Sequence, residues 1–382
     1  MDCLLPMALS GALSLPHPDL DGPVPPPGPG KVILGDQPEN AVISENFVVS
    51  WDSAGDQAAA ESASLALEEG WAALVEEEGW AAPVSSEEYL LRVVLFDLGG
   101  SGVTTEVDSS LFPEGVPVIY VNPAFASNDD FWRHLCVHEF AHALQFKLRD
   151  VWTSTPREAW YWEASAEWQV EQALPELDVY AMQTAYYAWQ TQLRFDSTSG
   201  SHQYGMVALN AYLEGQWGPG GLREVWEASS DGDPWLDLIG DAEQIWPAFT
   251  HAYGNALLPE SSLYEPVIPT TLKDGSSGTL DTLGSHYLRA ETDTHVRAEG
   301  PVLLSAEWLV EGQLLAVTGL EDGSSYTLEI YEPVDTGDGH TGDSISEGDS
   351  GIESPRGCGC GGPGSAGILL TLLALGGLRR RR

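Results

Sequence analysis

The hexapeptide Val137-His138-Glu139-Phe140-Ala141-His142 holds the residue types and spacing from which chemistry can be read most directly. The apolar pattern around it predicts a helix over 128–149, starting near Ser127 or Asn128. Asp129 and Asp130 fall in its first turn, where the helix dipole favours acids. Residues four apart on a helix project from one face, so His138 and His142 can offer two imidazoles to one zinc ion. Glu139 is rotated off that line. It can reach a water activated by the ion, and take its proton as the water attacks a carbonyl. Two histidines satisfied inside a helix interface have the same spacing, so a third ligand must decide.

A metzincin would supply that ligand from the same segment, with Gly at 145 and His at 148. The chain has Gln145 and Leu148, which excludes that class. The next candidates are acids. Thr155-Pro156-Arg157-Glu158 reads as a capping box with Pro at the first helical position. The helix it opens stops before Pro175. Ala159, Trp162, Ala166 and Val170 form its apolar stripe, and Glu163 and Glu167 flank that stripe one turn apart. Glu163 lies 21 residues after His142, which leaves room for a loop and a returning helix. Small Ala164 and Ala166 let the two helices approach. The contrary reading has both acids solvated on an amphipathic helix.

The pairing of His138, His142 and a glutamate on the next helix resembles the gluzincins, whose third-ligand motif is Asn-Glu-x-x-Ala. Here Trp162-Glu163-Ala-Ser-Ala166 aligns Glu163 with the ligand, with Trp162 in place of Asn. Glu167 would then stand behind the ligands. A narrower group of myxobacterial metalloproteases and their relatives is similar over His138-Glu-Phe-Ala-His142-Ala-Leu-Gln145, Trp160-Tyr-Trp-Glu163-Ala-Ser-Ala166 and His202-Gln-Tyr204-Gly205. The resemblance covers roughly residues 41–258 and the C-terminal tail. It implies a zincin-like fold and a Zn2+-dependent peptidase acting on a peptide or protein substrate. Zinc would be held by His138, His142 and Glu163, with Glu139 as general base and then general acid. A catalytically inactive zincin-like surface binding or structural protein is the alternative.

Such chemistry needs a donor aimed at the developing oxyanion. His202 and Tyr204 are the candidates, and His251-Ala-Tyr253-Gly254 repeats their pattern, so the choice stays open. A helix start with a packed aromatic is the contrary reading. In zincins an edge strand upstream of the metal helix aligns the substrate, and by position that role falls to Val116–Val121. The Trp-rich helix around Trp160, Trp162 and Trp168 either lines an apolar pocket or is core. Tyr186, Tyr187 and Cys136 are expected in the core. His134, one turn before His138, is expected behind the ligands or exposed.

Other elements must position these residues. Strands are predicted at Phe47–Trp51, Tyr89–Phe96 and Val116–Val121. Helices are predicted at 56–79, 156–173, 177–195, 203–216, 219–229 and 241–255. Residues 265–333, rich in turns and alternating runs, read as a small β-sandwich. The fold class is therefore α+β: a catalytic domain over 41–258, with a small mixed sheet and a helical half, followed by an all-β domain.

The charge is extreme. Fifty-eight acids face 16 bases, a net charge of −42, and four of those bases are the terminal Arg379–Arg382. This excludes nucleic-acid binding through the phosphate backbone. Residues 1–40 read as an export-signal remnant and a Pro/Gly-rich leader. Residues 334–357 read as a disordered acidic linker. Residues 358–382 combine Cys358 and Cys360, an apolar run and the Arg cluster. This resembles the MYXO-CTERM tail of myxobacterial surface proteins. It implies export, processing by a sorting protease and anchoring at the cell surface, with Cys358 or Cys360 modified.

Overall fold

A computed structural model describes residues 15–21, 30–53, 55–148, 156–228, 242–258 and 260–332. The export signal, the Thr155 end of the capping box, the linker at 334–357 and the tail at 358–382 lie outside the described residues.

The first half is a mixed six-stranded sheet. Its strands are β1 (Val32–Ile33), β2 (Ala41–Ile43), β3 (Phe47–Trp51), β4 (Tyr89–Leu95), β5 (Gly102–Val107) and β6 (Val116–Val121). The order is β2-β3-β4-β6-β5, with β1 also pairing β4. β3, β4 and β6 run parallel, whereas β2 and β5 are antiparallel to their neighbours. Helix α1 (Gln57–Trp71), continued by a π-helical stretch at Ala72–Glu77, makes the crossover from β3 to β4. β4 and β6 are almost wholly apolar because both faces of the parallel centre are covered.

This order corrects the expected edge strand. Val116–Val121 is not the edge: it lies between β4 and β5, and all six of its residues are buried. The edge on that side is β5, a strand the sequence pattern did not reveal. The expected leader is also partly docked. Leu20 is buried against Leu34, Tyr89 and Val116.

Helix α2 (Asp129–Leu148) lies against β5, β6 and α1 on one side and α3 (Pro156–Ala173) on the other. Residues 134–146 are buried without a break, so the helix is enclosed all round. Phe140 fixes its sheet-facing side. Its ring stacks on Trp71 at 5.9 Å and meets Phe47 edge-on at 5.3 Å. Trp160 and Trp162 are core and do not line an open pocket.

The helical half continues with α4 (Val179–Ala188), the single turn α5 (His202–Gly205), α6 (Val207–Trp217), α7 (Gly221–Ala228) and α8 (Ala242–Gly254). The helix predicted to reach residue 195 stops at Ala188, and the one predicted over 203–216 is divided at Met206.

Two four-stranded sheets follow. One has the order β12-β10-β14-β8 and contains β8 (Ser277–Leu280), β10 (Thr294–Glu299), β12 (Trp308–Leu309) and β14 (Ser324–Tyr331). The other has the order β11-β13-β9-β7 and contains β7 (Thr270–Thr271), β9 (Ser285–Arg289), β11 (Val302–Leu304) and β13 (Leu314–Gly319). Leu280, Val296 and Leu328 from the first meet Leu288, Leu315 and Val317 from the second in one cluster. The second sheet also faces the helices. Its Tyr287, Leu314 and Ala316 join the main core, and the Asn255 side chain pairs with both backbone groups of Leu314. Among the described residues, no helix is long and apolar enough to cross a membrane.

Phe140→Ala leaves a cavity between α2 and the sheet. It should cost about 3–5 kcal/mol of unfolding free energy in a urea titration. A loss under about 1 kcal/mol would mean that the aromatic contacts do not anchor the metal-motif helix.

Candidate metal centre

Helix α2 turns His138 and His142 toward α3, with ring centroids 4.8 Å apart and planes at 90°. Glu163 on α3 meets them. Its Oε2 lies 3.1 Å from His138 Nε2 and 3.6 Å from His142 Nε2. All three side chains are buried, and together they form a group able to hold a metal ion.

The other ring nitrogens face polar groups behind the centre. His142 Nδ1 is 2.8 Å from Gln145 Oε1, while the Gln145 amide nitrogen donates to Trp162 O and Ser165 Oγ. A carbonyl only accepts, so the amide orientation is fixed and His142 Nδ1 must carry the hydrogen. Its Nε2 then presents a lone pair, and that buried atom has no hydrogen-bond partner. His138 Nδ1 lies 3.2 Å from Glu167 Oε1. Three candidate ligand groups therefore converge, His138 Nε2 donating to Glu163 Oε2, with Gln145 and the Glu167 carboxylate behind them. Two buried imidazoles and a carboxylate with polar groups behind them make a set able to hold a metal ion.

The electrostatics agree. Burial opposes charge on Glu163, but hydrogen bonding from His138 and the nearby His142 ring brings its carboxyl down to about 2. Burial likewise opposes charge on Glu167, and His134 and His138 bring it to about 2. Burial would lower His138, yet Glu163 and Glu167 on its two sides lift it well above its ordinary value. The two acids are thus held ionised, and the imidazole between them favours its protonated form.

Glu139 lies outside this ligand set. Its carboxylate turns toward the edge strand, where Thr104 Oγ1 donates to Oε2 at 2.8 Å. The same hydroxyl lies 2.8 Å from the Glu139 backbone oxygen. Burial raises the Glu139 carboxyl against the pull of the two histidines. Gly102, opposite, is needed for space: a Cβ there would come within 2.6 Å of Glu139 Oε1.

Tyr204 joins the centre. Its ring is 6.1 Å from His138, and the Glu163 carboxylate acts on its hydroxyl. Burial, then the charges of Glu163, Glu167 and Glu139, keep the phenol protonated. Gly205 lets this turn close on α4, since a Cβ would sit 2.2 Å from Tyr187 N. His202 is not brought to the centre. Two residues away on the turn, it packs on Tyr187 at 6.0 Å, and burial lowers it to about 4, so it is a neutral core group. The rival pair is spent elsewhere. The Tyr253 hydroxyl lies 2.8 Å from Glu265 O and 3.3 Å from Thr184 O, and His251 is half-buried.

Cys136 is core, its thiol pushed up by burial. Tyr187 is buried and Tyr186 half-buried. His134 is buried, with Nε2 3.3 Å from Glu167 Oε2. Thr104 and Gly102 were missed from sequence, because only the sheet brings them to Glu139.

Gly102→Ala should destabilise the fold by about 1–3 kcal/mol through this overlap. Adding Glu139→Ala should recover part of the loss in a double-mutant cycle read by urea unfolding. Additive losses would mean that the two residues do not meet.

Residues 37–238, more than half of the chain, match DUF6055, described as a family of unknown function. No curated protein matches the chain. The chain therefore belongs to the DUF6055 family.

Proposed function

We propose that the chain is a zinc-dependent metallopeptidase of zincin-like fold, with zinc held by His138, His142 and Glu163. The observation that supports this most is the fixed direction of the His142 ring. Its Nδ1 hydrogen is committed to Gln145, and its buried Nε2 faces Glu163 with nothing to accept. A bound zinc ion would polarise the scissile carbonyl and lower the pKa of a nearby water.

The chain's own residues supply the rest. Glu139, buried and oriented by Thr104, takes the proton from the attacking water and passes it to the leaving amine. The raised carboxyl suits both halves of that task. Tyr204 keeps its hydrogen and donates it to the developing oxyanion. His202 has no part in this step. The outer edge of β5 bears no strand among the described residues and can pair with an extended peptide. That gives the substrate-aligning role to Gly102–Val107 in place of Val116–Val121.

Export and surface anchoring belong to the same proposal and rest on the Cys358–Arg382 sequence alone. The acidic body would keep the enzyme in solution above its anchor.

Glu139→Gln should retain one equivalent of zinc per chain while cleavage of a peptide library falls by about 10²–10⁴-fold. Glu163→Ala should lose the zinc. Full cleavage by Glu139→Gln would remove that residue from the mechanism. Zinc bound with no cleavage by the wild type would favour the inactive binding protein.

A further inference from the structure

Behind the ligands, Glu167 lies fully buried between two imidazoles. Its Oε1 is 3.2 Å from His138 Nδ1, and its Oε2 is 3.3 Å from His134 Nε2. Gln183 Nε2 stands 3.5 Å from Oε1 as well. Among the described residues no regular hydrogen bond reaches Oε2, and His134 Nε2 is the polar group set against it. His134 is itself buried, one helical turn before His138. Its ring stacks between Phe131 at 6.1 Å and His138 at 5.9 Å, nearly parallel to both. Its Nδ1 is buried without a partner.

An apolar ring would fill that place without leaving a nitrogen unsatisfied. What imidazole adds is a polar nitrogen 3.3 Å from the Glu167 carboxylate. We propose that His134 is a positioning residue: acting through Glu167, it fixes the tautomer and orientation of His138 and so sets how tightly the centre holds zinc. This rests on the metal reading above.

The logic follows the donors and acceptors. An ionised carboxylate only accepts, so His138 Nδ1 beside Oε1 must carry a hydrogen. His138 Nε2 donates to Glu163 Oε2 at 3.1 Å; with Nδ1 holding its hydrogen, Nε2 is the nitrogen that would shed its proton and turn a lone pair to zinc, as a ligand requires. The carboxylate can hold that direction only if its second oxygen is also tied. His134 Nε2, 3.3 Å from that oxygen and on the same helix as His138, is the group placed to hold it. The sequence gives the spacing for this: His134, His138 and His142 are three histidines at successive turns. The first does not reach the ligand set with Glu163. Its ring meets the carboxylate one turn further along α3.

The same atoms, His134, His138 Nδ1 and Glu167, also form a group that could hold a cation. The two roles differ in stoichiometry. A positioning residue changes affinity at one site, whereas a ligand creates a second site.

The test uses the full chain and three variants. His134→Phe keeps the ring stack and loses the N–H. His134→Asn is polar but too short to reach Glu167, and His134→Gln restores an N–H near the Nε2 position. Zinc stoichiometry and dissociation constant are read by competition with a chromogenic chelator, and the Co2+ visible spectrum reports the ligand geometry. The expected result is one equivalent throughout. Zinc binding should weaken by about 10–100-fold in the Phe and Asn variants, with most of it recovered in Gln and a changed Co2+ spectrum only where binding is weak. Equal affinity in wild type, Phe and Asn overturns the proposal and leaves the metallopeptidase reading intact. A second wild-type equivalent that disappears with His134 also overturns it, making His134 a ligand. A wild-type chain that takes up no zinc overturns both.

Discussion

The organising constraint is the burial of three carboxylates, Glu139, Glu163 and Glu167, in one water-poor layer beside α2. An ionised carboxylate loses several kcal/mol of hydration when enclosed, and repulsion among three would compound that loss. Each acid therefore has a distinct partner: Glu163 the two ligand histidines, Glu167 the far sides of His138 and His134, and Glu139 the Thr104 hydroxyl. The three environments push their pKa values apart. Glu163 and Glu167 are held low and Glu139 is held high, which under the proposed function would separate groups that hold a cation from the one that moves a proton.

The scaffold follows from that need. α2 must be enclosed on every side, so it sits between the sheet and α3, anchored by Phe140 on Trp71 and Phe47. α3 must come close, and Ala164 and Ala166 are fully buried where it does. The edge strand must lie over Glu139, and Gly102 supplies the space. The β-strand region is continuous with this frame. Tyr287 bonds Tyr187 at 3.1 Å, and Tyr187 in turn packs on His202, beside the turn that presents Tyr204.

Much of the centre was legible because it is written at helical spacing. His138, Glu139 and His142 share one helix, and Glu163 falls on a helix opened by a clear start signal. What was not legible depends on contacts between distant segments. Thr104 meets Glu139 across 35 residues, and β5 buries only one of its six residues, too few for a strand pattern. The edge strand was misassigned although its signal was present. A run as apolar as Val116–Val121 is covered on both faces, which marks a central strand. His202 and Tyr204 were taken together, yet residues two apart on a helical turn cannot face the same group.

The central claim is tested most directly by a crystal of the zinc-loaded chain, with diffraction recorded on both sides of the zinc absorption edge. The account predicts one anomalous peak within about 2.0–2.2 Å of His138 Nε2, His142 Nε2 and a Glu163 oxygen, with Glu139 outside the ligands. No peak there, or a peak at His134 and Glu167 instead, would contradict it.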